Sequence, residues 1–323
     1  MTANPTFYKF VSMKRFSRMK GKFFLMFAIA LLLTVSCRQA SKKSASIVYA
    51  NPDSVSTSAA GILSAEEAAD EISRNFSSPI EIANLLQEMK VPYSPEYMAT
   101  SLKPADQATS FDKAMALGFL GADLGYVNMY QKTGSSIDLL KTIKKLADGL
   151  LVGQFIDFET IKRLSLDKSN MDSLLYLSLD SYTNIDKYLR EKGRGQLSSL
   201  MIVSAWFESQ YLAAQVIQKY PDSRLRDRIG EQEYFIDDLI RVIAPYCGID
   251  NQFKQICDYL TNLKNKYSAV KVTYSRSEPV KAESNGGLVV TQTDSSYVAM
   301  TDEQLNDITS TIIEIRNKLI ASK

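Results

Sequence analysis

The chain has 323 residues, with 38 Lys and Arg against 36 Asp and Glu, three Cys, one Trp and no His. The lack of histidine excludes Ser/His and Cys/His nucleophilic systems, histidine general bases, and the HExxH metalloprotease and CxxCH haem motifs. Six of the 38 basic residues and none of the 36 acidic ones precede Cys37, so the rest of the chain carries 32 against 36, a net of minus four. Phosphate binding needs a clustered positive surface, and no nucleic-acid partner is expected of an acidic body.

Residues 23–35 are a run of thirteen uncharged, mostly apolar side chains, preceded by Lys14, Arg15, Arg18, Lys20 and Lys22. A membrane-spanning helix needs about 20 apolar residues, whereas the core of a secretory signal needs about 7 to 15. The run is therefore read as a signal peptide over residues 1–36, with Met13 or Met19 as the natural start. Ser36 directly before Cys37 resembles the lipobox of bacterial lipoproteins, with Thr34 standing where that motif usually carries leucine. The resemblance implies that Cys37 is acylated and becomes the mature amino terminus. More than one acyl chain anchors a protein stably, so the partner implied is a membrane, reached through lipid. Residues 37–63, rich in Ser and Ala and poor in aromatics, read as a flexible tether.

Residues 64–323 carry helix punctuation at regular intervals. Ser64 with Glu67, Ser78 with Glu81, Ser169 with Asp172 and Thr301 with Gln304 have capping-box spacing, and Pro79 sits where a first helical turn tolerates proline. Apolar residues recur at intervals of three and four, as in Ile80, Ala83, Leu86 and Met89, or Leu139, Ile143, Leu146 and Leu150. The pattern predicts helices near 64–75, 79–90, 108–132, 135–150, 157–165, 170–192, 196–219, 223–246, 251–268 and 301–321. The segment 197–218 has one charged residue, Glu208, and is apolar all round, so it is expected to be the central post. Gly118, Gly121 and Gly125 fall within helix 108–132, where each costs up to about 1 kcal/mol relative to alanine, which suggests close backbone contact. Period two appears at 270–275, 287–292 and 296–300, predicting a β-hairpin or three-stranded flap at about 270–300. The fold class expected is all-α: a multi-helix bundle around a central apolar helix, with a small β-hairpin or flap before the C-terminal helix.

The stretches SPIEIANLLQEMKVPYS, GADLGYVNMYQK, KKLADGLLVGQFIDF, DKYLREKGRG, RIGEQE and MTDEQLNDI together resemble a group of uncharacterised helical lipoproteins of Bacteroidota. That resemblance spans residues 78–320 and implies a helical fold and a cell-envelope compartment, with no catalytic residue to carry over. In such lipoproteins acidic residues soon after the cysteine resemble a surface-export signal. Here Arg38, Lys42 and Lys43 follow instead, so the resemblance favours the outer membrane with the body facing the periplasm.

Candidate chemistry is limited to carboxylates. Asp123, Tyr126 and Tyr130 share one helix face and form a candidate polar cleft, or else a buried network between helices. Glu208 in the central helix must be paired, protonated or at a cavity, because a lone buried charge is costly. Cys247 and Cys257 flank a short turn; two buried free thiols are the default, and a disulfide requires Cα atoms within about 7 Å. No metal site and no cofactor is expected, since two cysteines are two ligands short of a structural zinc site and residues 167–173 lack the glycine of a calcium loop. Two functions stay open: a non-enzymatic helical binding or scaffold module for an envelope protein or peptide, or a carboxylate-based hydrolase or lyase using Asp123 and Glu208. A common open cleft with carboxyls about 5–10 Å apart would favour the enzyme. The flap, with Tyr274 and Tyr297, either offers a strand edge to a peptide or covers the end of the bundle.

Overall fold

The structure, a computed structural model, describes residues 79–99, 101–103, 106–165, 171–276, 280–284, 287–291 and 294–321. Expectations for the signal, Cys37, the tether and helix 64–75 lie outside them. The helices are α1 (Pro79–Glu88), α2 (Ser110–Met129), α3 (Thr133–Gly149), α4 (Phe158–Leu164), α5 (Met171–Glu191), α6 (Gly195–Lys219), α7 (Ser223–Gly230), α8 (Gln232–Ile243), α9 (Asn251–Tyr267) and α10 (Asp302–Ala321). The strands are β1 (Lys271–Arg276), β2 (Val280–Ser284), β3 (Gly287–Thr291) and β4 (Asp294–Ala299). The fold is all-α, a bundle with a small β-ribbon before its last helix.

The central post is α6. From Leu197 to Ile217 almost every side chain is buried, and α1, α2, α5, α7, α8 and α10 all pack on it. Its most extensive partner is α2, and the glycine at their crossing explains why. A Cβ on Gly118 would lie 2.2 Å from the Met201 carbonyl oxygen and 1.9 Å from Ser204 Oγ, so only glycine lets the two backbones approach. Trp206 is buried against Phe207, and its indole N–H donates to Gln232 Oε1 at 2.8 Å, satisfying a polar atom that burial would otherwise leave unpaired.

Gly121, one turn further along α2, has nothing within 4 Å of a built Cβ. The two glycines therefore predict opposite results. Gly121→Ala is expected to raise stability by about 1 kcal/mol, the helix-interior difference between the residues. Gly118→Ala must push backbone aside and is expected to cost about 1–3 kcal/mol. Urea denaturation of both variants checks this, and equal effects would contradict the assigned contacts.

Five helix starts carry side-chain caps, whereas α3, α6 and α8 start without one. Thr109 and Asp112 form a reciprocal capping box on α2, Asp157, Asp222 and Asp250 cap α4, α7 and α9, and Thr301 with Gln304 caps α10 with the expected pairing. Helix ends are less conventional. Lys90, Gln131 and Leu151 close α1, α2 and α3 at φ near +58°, +55° and +61°, where glycine is the usual residue. In each case the next N–H reaches back five residues: Val91 to Leu86, Lys132 to Val127 and Val152 to Ala147.

Two expectations need correction and a third is narrowed. The helix expected over 223–246 is two, α7 and α8, broken at Gly230 and Glu231 and followed by a 3₁₀ turn, Ala244–Tyr246. The glycine at the break is required by the ribbon, because a Cβ on Gly230 would lie 2.3 Å from Val298 Cγ1 of β4. The flap is the expected hairpin and not the three-stranded alternative: β1 pairs with β4 and β2 with β3 in two antiparallel ladders, one nested within the other. Three residues separate β1 from β2 and two separate β3 from β4, so the register shifts by one between the ladders. Finally, Cys247 and Cys257 are disulfide-bonded, not free, with Cα atoms 5.9 Å apart. The turn between α8 and α9 brings the two within bonding distance. Its loss is expected to cost about 2–3 kcal/mol, the chain-entropy value for so short a loop. Urea denaturation with and without reductant, alongside intact mass, measures that effect, and an unchanged midpoint after complete reduction would refute it.

Candidate functional site

Asp123, Tyr126 and Tyr130 do share a face of α2, but that face is not open. The segment 91–99, including a 3₁₀ turn at Pro95–Tyr97, lies along it and is held at three points. Asp123 Oδ2 accepts from the Ala99 amide at 2.7 Å, Tyr126 Oη accepts from the Ser94 amide at 2.9 Å, and the Tyr130 hydroxyl donates to the Val91 carbonyl at 2.8 Å. Tyr93 returns to the same face, its ring 5.4 Å from that of Tyr126 and 5.7 Å from that of Tyr130. Burial raises the hydroxyl pKa of all three tyrosines, that of Tyr130 to about 12. The set satisfies the backbone of a loop that has no secondary structure to pair with. Sequence periodicity places these residues together; what covers them is tertiary.

Glu208 and Asp123 are fully buried and meet behind that loop. The Glu208 carboxylate takes a two-pronged contact from Arg316 of α10, Nε to Oε2 at 2.8 Å and Nη2 to Oε1 at 2.6 Å. The guanidinium in turn stacks 4.0 Å from the ring centre of Tyr211. Such bidentate geometry is the strongest form of ion pair, and it is what makes a charge in α6 tolerable. The second carboxyl has no cation of its own. Asp123 Oδ1 has no donor facing it, yet it lies within hydrogen-bonding reach of Glu208. Desolvation and then the Glu208 charge hold the Asp123 pKa well above the usual carboxylate range. The pair is asymmetric: burial and the Glu208 charge favour the neutral form of Asp123, whereas at Glu208 the Arg316 guanidinium opposes the burial that raises its pKa. The carboxyls thus touch within the core, and the open cleft with separated acid and base is not what the structure has.

Open space lies on the opposite side of α2. A trough of about 220 Å³ runs between α2 and α5, with α6 as its floor and α3 and α4 at its side. Leu117, Gly121, Leu124 and Asn128 line it from α2, Leu174, Tyr182 and Ile185 from α5, and Met201, Ile202 and Ala205 from α6. It marks the gap between the main core and a smaller apolar cluster of Leu140, Ile161 and Leu174. Apart from the Tyr182 hydroxyl, whose pKa burial raises, no titratable group lines it. Neither Asp123 nor Glu208 is among the lining residues. A wider hollow of about 570 Å³ at the ends of α6, α7 and α10 holds Arg226 and Asp302, which are paired with each other at 2.6 Å.

Among the described residues no group of three or more Cys, Asp or Glu is placed to hold a metal ion, and no helix is long and apolar enough to cross a membrane. Elsewhere Lys141 pairs with Asp138, Lys144 with Asp148 and Arg228 with Glu231. Fold and site together define an all-α bundle with a sealed carboxyl pair and an apolar trough. Comparison with models of protein families, with characterised proteins and with solved structures finds no match to this chain.

Proposed function

We propose that the protein is a non-enzymatic binding module of the cell envelope, anchored through lipid on Cys37 to the periplasmic face of the outer membrane, with the trough between α2 and α5 as its binding site. The observation that carries this reading is the separation of charge from space. The two core carboxyls sit at zero exposure, committed to Ala99, to Arg316 and to each other. The trough offers room and no group able to transfer a proton near neutral pH. A pocket of this kind binds by excluding water.

Affinity capture from envelope extracts tests the reading, comparing the protein with Gly121→Phe, which places a ring in the trough. Loss of a captured component in the variant is the expected result. Turnover of an envelope substrate that disappears in Asp123→Asn with the fold intact would overturn it. Cys37→Ala is expected to release the chain from the membrane fraction and abolish fatty-acid labelling, and continued labelling would defeat the anchor.

A further inference from the structure

The dimensions and lining of the trough point to its ligand. We infer that it takes one linear alkyl chain of a single-chain amphiphile, with the polar head left in water; this rests on reading the trough as the binding site. The lining residues on α2 run from Leu117 to Asn128 and those on α5 from Leu174 to Ile185, twelve residues and eleven helical steps in each case. At the helical rise both walls are about 16 Å long. A volume of about 220 Å³ drawn out over that length is narrow. It exceeds the roughly 150 Å³ at which an aliphatic cavity stays dry and takes up an apolar guest, and it falls below the roughly 300 Å³ at which sites for drug-sized molecules begin.

The second observation is Gly121. Gly118 is required by the backbone of α6, but among the described residues nothing lies within 4 Å of a Cβ built on Gly121, which lines the trough. A helix-weakening residue thus stands where no described neighbour requires it. Gly121 and Ala205 are among the smallest residues of the lining. Among the described residues the lining holds no cation to grip a carboxylate or phosphate and no anion to grip an amine. Selection is therefore by chain length and shape, and the head group contributes little.

Titration calorimetry of the purified full chain with straight-chain saturated fatty acids and the matching fatty alcohols, each below its micelle concentration, tests this. Affinity is expected to rise about fourfold per methylene, the Boltzmann factor for one buried methylene, and to level off once the chain fills about 16 Å. Acid and alcohol of one length are expected to agree within a few fold. Gly121→Phe is expected to weaken binding at least tenfold, as is Ser178→Phe, an exposed position on the lining of the trough where a ring does not disturb packing. Affinity independent of chain length, or unchanged in both folded variants, would overturn the assignment. If no straight chain binds while envelope capture still depends on Gly121, the alkyl assignment falls and the binding reading stands. If capture also ignores Gly121, both fall.

Discussion

Replacing Arg316 by Met is expected to lower stability by about 3–5 kcal/mol at neutral pH. The substitution keeps most of the buried stem but removes the two donors that hold Glu208, at 2.6 and 2.8 Å, and leaves a carboxylate at the centre of α6 with no cation. Most of the loss is the cost of that stranded charge rather than the net worth of the pair. Two consequences separate this account from simple loss of packing. Adding Glu208→Gln to Arg316→Met is expected to recover much of the loss, since an amide carries no charge to strand. The loss in the single variant is also expected to shrink as pH falls through the carboxylate range, because Glu208 then takes up a proton. Urea denaturation at several pH values measures both, and a loss below about 1 kcal/mol at neutral pH would contradict the role given to Arg316.

Asp123→Asn is expected to change the pH dependence of stability more than its value in acid. The Asp123 pKa is raised in the folded state, first by burial and then by the Glu208 charge, above an ordinary value of 3.8. The folded state then holds a proton that the unfolded chain releases. Stability from this group is fully present below pH about 3.8 and is lost as pH rises towards the folded pKa, by about 1.4 kcal/mol per unit. Asparagine reproduces the geometry without the proton, its oxygen accepting from Ala99 and its amide donating to Glu208. Relative to wild type the variant should therefore gain about 1.4 kcal/mol with each pH unit above that value until Asp123 ionises. Parallel stability curves for the two proteins between pH 5 and 8 would show that Asp123 holds no proton there.

Helix positions were legible because they rest on local physics. The apolar stripe of α10, the Thr301–Gln304 cap and the all-round apolarity of α6 each announce themselves within a few residues. Helix ends were not, and predicted helices such as 108–132 overran, because Gln131 and Leu151 take left-handed backbone without the glycine that marks it. The need for Gly230 at the break comes from a strand almost 70 residues downstream, and β2, with Lys, Glu and Ser among its five residues, lacks strand composition. For the site, the burden on Glu208 was legible but its partner was not named. The usable signal was an arginine beside Ile312, Ile315 and Leu319 on the buried stripe of α10. The cover over Asp123 and the trough on the far side of α2 depend on segments brought together only in the folded bundle, and periodicity carries no record of them.

The position of Arg316 along the chain bears on when the protein becomes folded. It stands 108 residues after the carboxylate it neutralises, in the last element of the described fold. A chain delivered amino end first can form α2 and α6 early, yet their meeting traps Asp123 and Glu208 without a counter-charge until α10 arrives. Closing so long a loop is slow, and the gain comes only at the end. The bundle is thus expected to close on this pair only once α10 has been made. A product lacking α10 keeps the cost without the remedy, and cellular proteases should clear it rather than let it accumulate as a shortened but working form.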